Sequence, residues 1–233
     1  MLAVFKRELR SYFQSPIGYV FLAFMFVFGG FFFSAVLSQN STKIEYVFSS
    51  LFTIVIILIP LLTMRLLSEE KKQKTDQLLL TAPVNISGIV IGKYLAAFVM
   101  YLIGLCSTIV YVIVLATFAK PNWNIFLGNF LGLALVGGAI LAIGLFISSL
   151  TESQMIAAIG SYGIVLFILS FDTIAQKIPV TAISTFLSKL SMNARYTDFV
   201  NGILNVSHII FFISFIVVFN FLTVRVLEKK RWS

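Results

Sequence analysis

The sequence predicts an all-α polytopic membrane protein with six transmembrane helices, and three observations carry that prediction. Hydrophobic residues are 59% of the 233, above the roughly 45–50% of soluble globular chains. Charged residues are 11%, less than half the usual share of about 25%. The apolar residues fall in long runs, and the mean hydropathy is +1.01. A soluble domain of this size could not hide so much apolar surface, and disorder needs low hydrophobicity with high charge. In hydrocarbon no water satisfies the backbone, so long apolar runs can only be helices.

The chain opens with MLAVFKRELRSYFQ. On a helix, Leu2, Phe5, Leu9, Tyr12 and Phe13 share one face, while Lys6, Arg7, Arg10 and Gln14 share the neighbouring one. That pattern predicts an amphipathic helix over residues 1–15 lying in the membrane interface, cations toward the headgroups. Ser15-Pro16 ends it, because proline disfavours helical geometry in the residue before it. A hydrocarbon core needs about 20 apolar residues of helix. Runs of that kind occupy residues 17–37, 47–66, 94–118, 125–150, 155–172 and 207–226. The first is too long for a signal-peptide core and has no A-x-A cleavage site after it. The fifth is the shortest and borders the polar run Leu150-Thr-Glu-Ser-Gln154.

Between the second and third spans lies a loop over residues 67–93. SEEKKQKTDQLLLTAP reads as a short helix with Ser68 as N-cap. Glu69 and Glu70 would sit in its first turn, where the helix dipole favours anions. Glu70–Lys74 would form an i,i+4 pair, and Pro83 would end the helix. A second start follows at Asn85 or Ser87. Charged residues joined to Leu78, Leu79 and Leu80 suggest a docking surface for another protein; the other reading is a solvated loop whose leucines dip back into lipid. Between the fifth and sixth spans, residues 173–206 contain Pro179 and the stretch Ile183-Ser-Thr-Phe-Leu187. They are too polar to span and too apolar for a free linker, so short helices lying at, or re-entering, the outer interface are expected.

Lysine and arginine set the orientation. Lys6, Arg7 and Arg10, then Arg65, Lys71, Lys72, Lys74 and Lys93, then Arg225, Lys229, Lys230 and Arg231 fall on one side. Lys43, Lys120, Lys177, Lys189 and Arg195 fall on the other. The positive-inside rule puts both termini in the cytoplasm. The net charge of +8 therefore reads as topology and anionic lipid rather than nucleic acid. There is no phosphate-binding loop: Gly88-Ile-Val-Ile-Gly92-Lys93 has the wrong spacing and no hydroxyl after the lysine. No catalytic constellation appears, and a single His208, with no neighbours at metal-ligand spacing, reads as a polar boundary residue. The lone Cys106 reads as a small buried apolar residue. Asn220 reads as a buried amide bonding between helices. Gly128-x-x-x-Gly132, Ala134-x-x-x-Gly138-x-x-x-Ala142 and Ala157-x-x-x-Ser161 read as close internal packing. Without acids or histidine at depth, an autonomous proton-coupled pump is disfavoured.

Two motifs carry a family resemblance. FKRELRSYFQSPIGYVF resembles the opening of ABC-2 type transporter permease subunits, in the gliding-motility-associated, GldF-like branch. TMRLLSEEKKQKTDQLLLTAPV, followed by GIVIGKYLAA, resembles the same branch's loop after the second span. Many members have Gly-Thr where this chain has Lys74-Thr75. The resemblance covers essentially the whole chain, residues 1–233, as one permease domain. It implies a non-enzymatic subunit of an ABC exporter in the cytoplasmic membrane of a prokaryote. ABC ATPase subunits would carry the ATP and Mg, and a second permease protomer would complete a homo- or heterodimer. This chain would hold no cofactor or metal. Arg65, Glu69, Glu70, Thr75, Asp76, Leu78, Leu79, Leu80 and Pro83 would form the ATPase-coupling loop. Phe5, Lys6, Arg7, Leu9 and Arg10 would mark the interfacial helix. Glu69, Glu70 and Asp76 would face polar or basic groups on the ATPase. A non-transporting membrane scaffold of an envelope or motility complex is the alternative. Substrate identity is not readable from these residues.

Overall fold

A computed structural model describes residues 1–39, 41–75, 85–118, 121–177 and 190–232, without the side chains of Asp172, Gln176, Lys177 and Trp232. The regular structure among the described residues is all helical, with no strand. α1 (Leu2–Gln14) and α2 (Pro16–Ser38) meet at an elbow where Ser15 is extended and Pro16 opens α2. Gly18 is required there: a Cβ would come within 2.2 Å of the Tyr12 carbonyl oxygen. α3 (Glu45–Thr63) runs through a short turn into α4 (Ser68–Lys72). α5 (Ile86–Leu105) starts at Asn85, whose side chain accepts from the Ser87 N–H, as expected for a second start there. α6 (Ser107–Phe118) continues α5 past a break at Cys106. α7 (Trp123–Leu150), α8 (Gln154–Leu169), α9 (Phe171–Lys177), α10 (Met192–Val200) and α11 (Val206–Trp232) complete the described chain.

Five stretches are long and apolar enough to cross a membrane: Pro16–Ser38, Glu45–Lys72, Ile86–Phe118, Trp123–Leu150 and Val206–Arg231. The run expected as the fifth span is instead the 16-residue α8. At the helical rise it is about 24 Å long, below the roughly 30 Å of a hydrocarbon core. A turn at Ser170, whose N–H donates to the Leu166 and Phe167 carbonyls, joins it to α9. The third run is also longer than its apolar core suggested, because the helix begins at Ile86.

α7 is the centre of the bundle. Of its most apolar stretch, 72% is buried, against 11% for α11. It packs on α3, α5, α8, α10 and α11. Small residues make those approaches possible. A Cβ at Gly137 would lie 2.3 Å from the Tyr101 ring, at Gly132 2.5 Å from Phe199 and at Gly144 2.2 Å from Thr63. Of the small residues singled out from the sequence, Gly128, Gly132, Gly138 and Ala142 are buried in internal packing, while Gly137 and Gly144 were not among them. Ala157 and Ser161 are likewise fully buried.

Three expectations are corrected. Cys106 is exposed at the α5–α6 break rather than buried. Asn220 donates to the Ile216 carbonyl of its own helix rather than across to another, and its Oδ1 is buried with no partner among the described residues. His208 is more than a boundary residue: its Nε2 lies 2.7 Å from Asp198 Oδ2 and its Nδ1 3.0 Å from Arg195. In the segment between α8 and α11, α10 packs on α7. The Tyr196 hydroxyl donates to the Phe48 carbonyl, and Phe199 is fully buried. Pro179 and residues 183–187 lie outside the described residues.

Candidate functional site

The coupling loop and the N-terminal helix, far apart in sequence, are built into one structure. α1 lies along the first turns of α5. Gly92 permits this, since a Cβ there would sit 3.1 Å from the Met1 carbonyl oxygen and 3.2 Å from Val4. The face of α1 turned to the protein carries Phe5, Leu9 and Tyr12, with Glu8 and Ser11 partly covered beside them. Leu2 and Phe13, expected on the same apolar face, stay exposed, as do Lys6, Arg7 and Arg10. The Tyr12 hydroxyl donates to the Leu62 carbonyl over 3.0 Å. Burial pushes its ionisation above the ordinary phenol range, so it remains a neutral donor.

At the heart of the site is Lys93, the residue after Gly92, only 1% exposed. Its ammonium lies 3.1 Å from Glu8 Oε1, 2.9 Å from Glu70 Oε1 and 2.7 Å from the Leu66 carbonyl oxygen. Arg7 closes a ring by reaching the same two carboxylate oxygens, at 2.6 Å from Glu8 and 2.7 Å from Glu70. Two cations and two anions thus join α1, α4 and α5. Burial alone would raise the Glu8 carboxyl, but Lys93 and Arg7 outweigh it and hold it below the usual carboxylate range. Beside the ring, Arg65 pairs with Glu69 at 3.1 Å and donates to Ser11 Oγ at 3.2 Å. These residues line an open pocket of about 320 Å³ with Gln73 and Thr75.

The loop itself differs locally from expectation. Leu67, not Ser68, occupies the N-cap position, and the Ser68 hydroxyl donates to the Met64 carbonyl. Glu70 pairs with Arg7 and Lys93 in place of Lys74. α4 ends at Lys72, and Lys74 then takes φ +58°, in the left-handed region where a side chain is penalised and glycine is not. The Lys74 N–H donates to the Lys71 carbonyl and the Thr75 N–H to the Glu70 carbonyl, which is the Schellman way of closing a helix. On its other side α4 is fastened to the C-terminal end of α7. Ser148 Oγ accepts from the Leu67 and Ser68 N–H groups, and Lys71 donates to the Ser149 carbonyl. A cation at a helix C-terminus is favourably placed against the helix dipole.

Of the residues singled out in the loop, Arg65, Glu69, Glu70 and Thr75 are brought together here. Asp76, Leu78, Leu79, Leu80 and Pro83 lie outside the described residues. Glu8, Lys93, Ser148 and Lys71 were not selected as site residues from the sequence. A signal existed for two of them: Glu8 is the one acid on a basic helix, and Lys93 interrupts an otherwise apolar one.

The long apolar helices define a multi-pass α-helical membrane protein, one with a polar junction built at the ends of its central helices. The model of the ABC-2 family transporter protein family matches residues 12–228, and the chain belongs to that family. It is thus the membrane permease component of an ABC system. Such components are generally non-enzymatic and work with an ABC ATPase and a second permease. A comparison with curated proteins finds no match.

Proposed function

We propose that this chain is the permease subunit of an ABC exporter of the GldF-like branch. It would lie in the cytoplasmic membrane of a prokaryote and pair with a like or unlike permease. ATP and Mg are bound by separate ATPase subunits. The chain crosses the bilayer six times, with α8, extended by α9, as the short fifth crossing. Both termini and the loop after α3 are cytoplasmic, and α1 lies in the interface with Lys6 and Arg10 toward headgroups or the ATPase. Residues 67–93 dock on the ATPase, with Leu78 to Leu80 supplying apolar contact. Glu69 and Glu70 support that loop from within.

One observation favours this reading above the rest. A five-residue helix in that loop is fastened on one side to α1 and α5 and on the other to α7. A push on α4 is thereby delivered to the centre of the bundle, which a passive loop would not need. Copurification of the cognate ATPase from cells expressing both subunits tests it. Changing Leu79 and Leu80 together to Asp should remove the ATPase from a permease that still inserts and elutes as the wild type does. Undiminished copurification would defeat the docking assignment.

A further inference from the structure

Lys93 is a buried cation whose donors are all committed. Its three N–H groups meet three acceptors at 2.7–3.1 Å, and these belong to α1, to α4 and to the turn between α3 and α4. The lysine itself belongs to α5. No other described side chain joins these four pieces. Its presence at 1% exposure needs explanation, since an ammonium loses its hydration there and keeps its charge only when paired and fully hydrogen-bonded. α4 cannot hold its own direction, because five residues are far below the length at which a helix persists unaided. Its orientation therefore comes from its tethers. Ser148, Ser149 and Lys71 fasten one side to α7, and Glu70 fastens the other to Lys93 and Arg7. Arg7 is half exposed, and its guanidinium is reached by water. The inward tether is Lys93.

We propose that Lys93 is the positioning residue that couples the docking loop to α5 and α1, so that motion of α4 is passed to both rather than to α7 alone. This rests on the ATPase-coupling reading above. Without the ammonium, Glu8 and Glu70 would be left facing each other with only Arg7 between them. Like charges at that separation repel, and α4 would swing from α5 while keeping its hold on α7. Lysine is suited to the task. A point charge on a flexible stem can address three acceptors from three directions, which the flat fork of an arginine does less freely.

The test uses spin labels at Lys6→Cys on α1 and Gln73→Cys beside α4, both exposed, in a Cys106→Ser background. Distances are measured in the isolated permease and, with and without ATP and Mg, in complexes isolated with the ATPase. The unmodified ring should give one narrow distance that stays the same when nucleotide is added, because α1 and α4 then move together. Lys93→Met should broaden the distribution in the isolated permease at least twofold and, in the complex, let the distance change when nucleotide is added. Lys93→Arg should keep part of the narrowness and part of the constancy, and Glu8→Gln with Glu70→Gln should narrow the Lys93→Met distribution by removing the stranded charges. If Lys93→Met does not accumulate, Glu70→Gln cuts the same tether from the loop side and should broaden the distribution likewise. A narrow, wild-type distance in Lys93→Met, or a distance in the unmodified protein that shifts with nucleotide, overturns the proposal. Failure of the wild-type permease to bring down any ATPase overturns the coupling reading instead, and the isolated permease still decides whether Lys93 holds α4.

Discussion

At the scale of single residues, the ion ring is governed by the balance between desolvation and pairing. Glu8 and Glu70 are only 13% and 17% exposed, so neither carboxylate is tolerated there without its cations. Breaking such a set by removing one partner costs about 3–5 kcal/mol, because the remaining charge is stranded. Against the desolvation that would raise it, Lys93 and Arg7 hold the Glu8 carboxyl below the ordinary carboxylate range, which makes the ring's contribution depend on pH with a definite sign. A depressed folded-state value means the stabilisation is fully present above the ordinary glutamate value of about 4.3 and is lost as the pH falls through the folded value. The groups facing Glu8 are Lys93 and Arg7, with Glu70 across the ring. In detergent, the unfolding midpoint should be flat from pH 7 to about 5 and should then drop, and Glu8→Gln should remove much of that drop. An identical acid limb in Glu8→Gln would show that the ring is not the titrating element.

At the scale of helices, the governing quantity is how closely backbones approach. α7 meets its neighbours where it has no side chain, and Gly137 is the clearest case. Its missing Cβ is filled by the Tyr101 ring, whose hydroxyl donates to the Leu133 carbonyl over 2.7 Å. Gly137→Ala would drive a methyl into a ring that is fully buried. Overpacking of that kind costs typically about 1–3 kcal/mol. Gly163 on α8 is the control, since a Cβ there meets nothing within 4 Å. Alanine at Gly163 should leave the melting temperature unchanged or raise it, because glycine in a helix interior is about 1 kcal/mol worse than alanine. Thermal melts of the two variants, followed by size-exclusion chromatography, should separate clearly. Equal melts would mean that α7 is free to move off Tyr101. The same reasoning accounts for Gly92, where a small residue in α5 seats the whole of α1.

At the scale of the whole molecule, orientation follows from where the cations lie, and a single label checks it. In Cys106→Ser cells, Gln73→Cys should react with a membrane-impermeant maleimide only after the membrane is opened; reaction in intact cells would reverse the proposed topology. The elements most readable from sequence were those specified locally. Apolar runs, the Ser15-Pro16 elbow and the Asn85 start each depend on residues within a turn or two, so composition and spacing were enough. The short α8 and the long α5 shifted because hydropathy marks what is greasy, not where a helix begins or ends. The membrane character, the helical class and the location of the loop after α3 were therefore determined by the sequence alone. The ring of Arg7, Glu8, Glu70 and Lys93 was not, and neither was the fastening of α4 to Ser148. Glu8 and Lys93 are 85 positions apart, and no periodicity within either helix encodes the other. Only packing α1 across Gly92 brings them together, and only the loss of water around them makes the pairing obligatory.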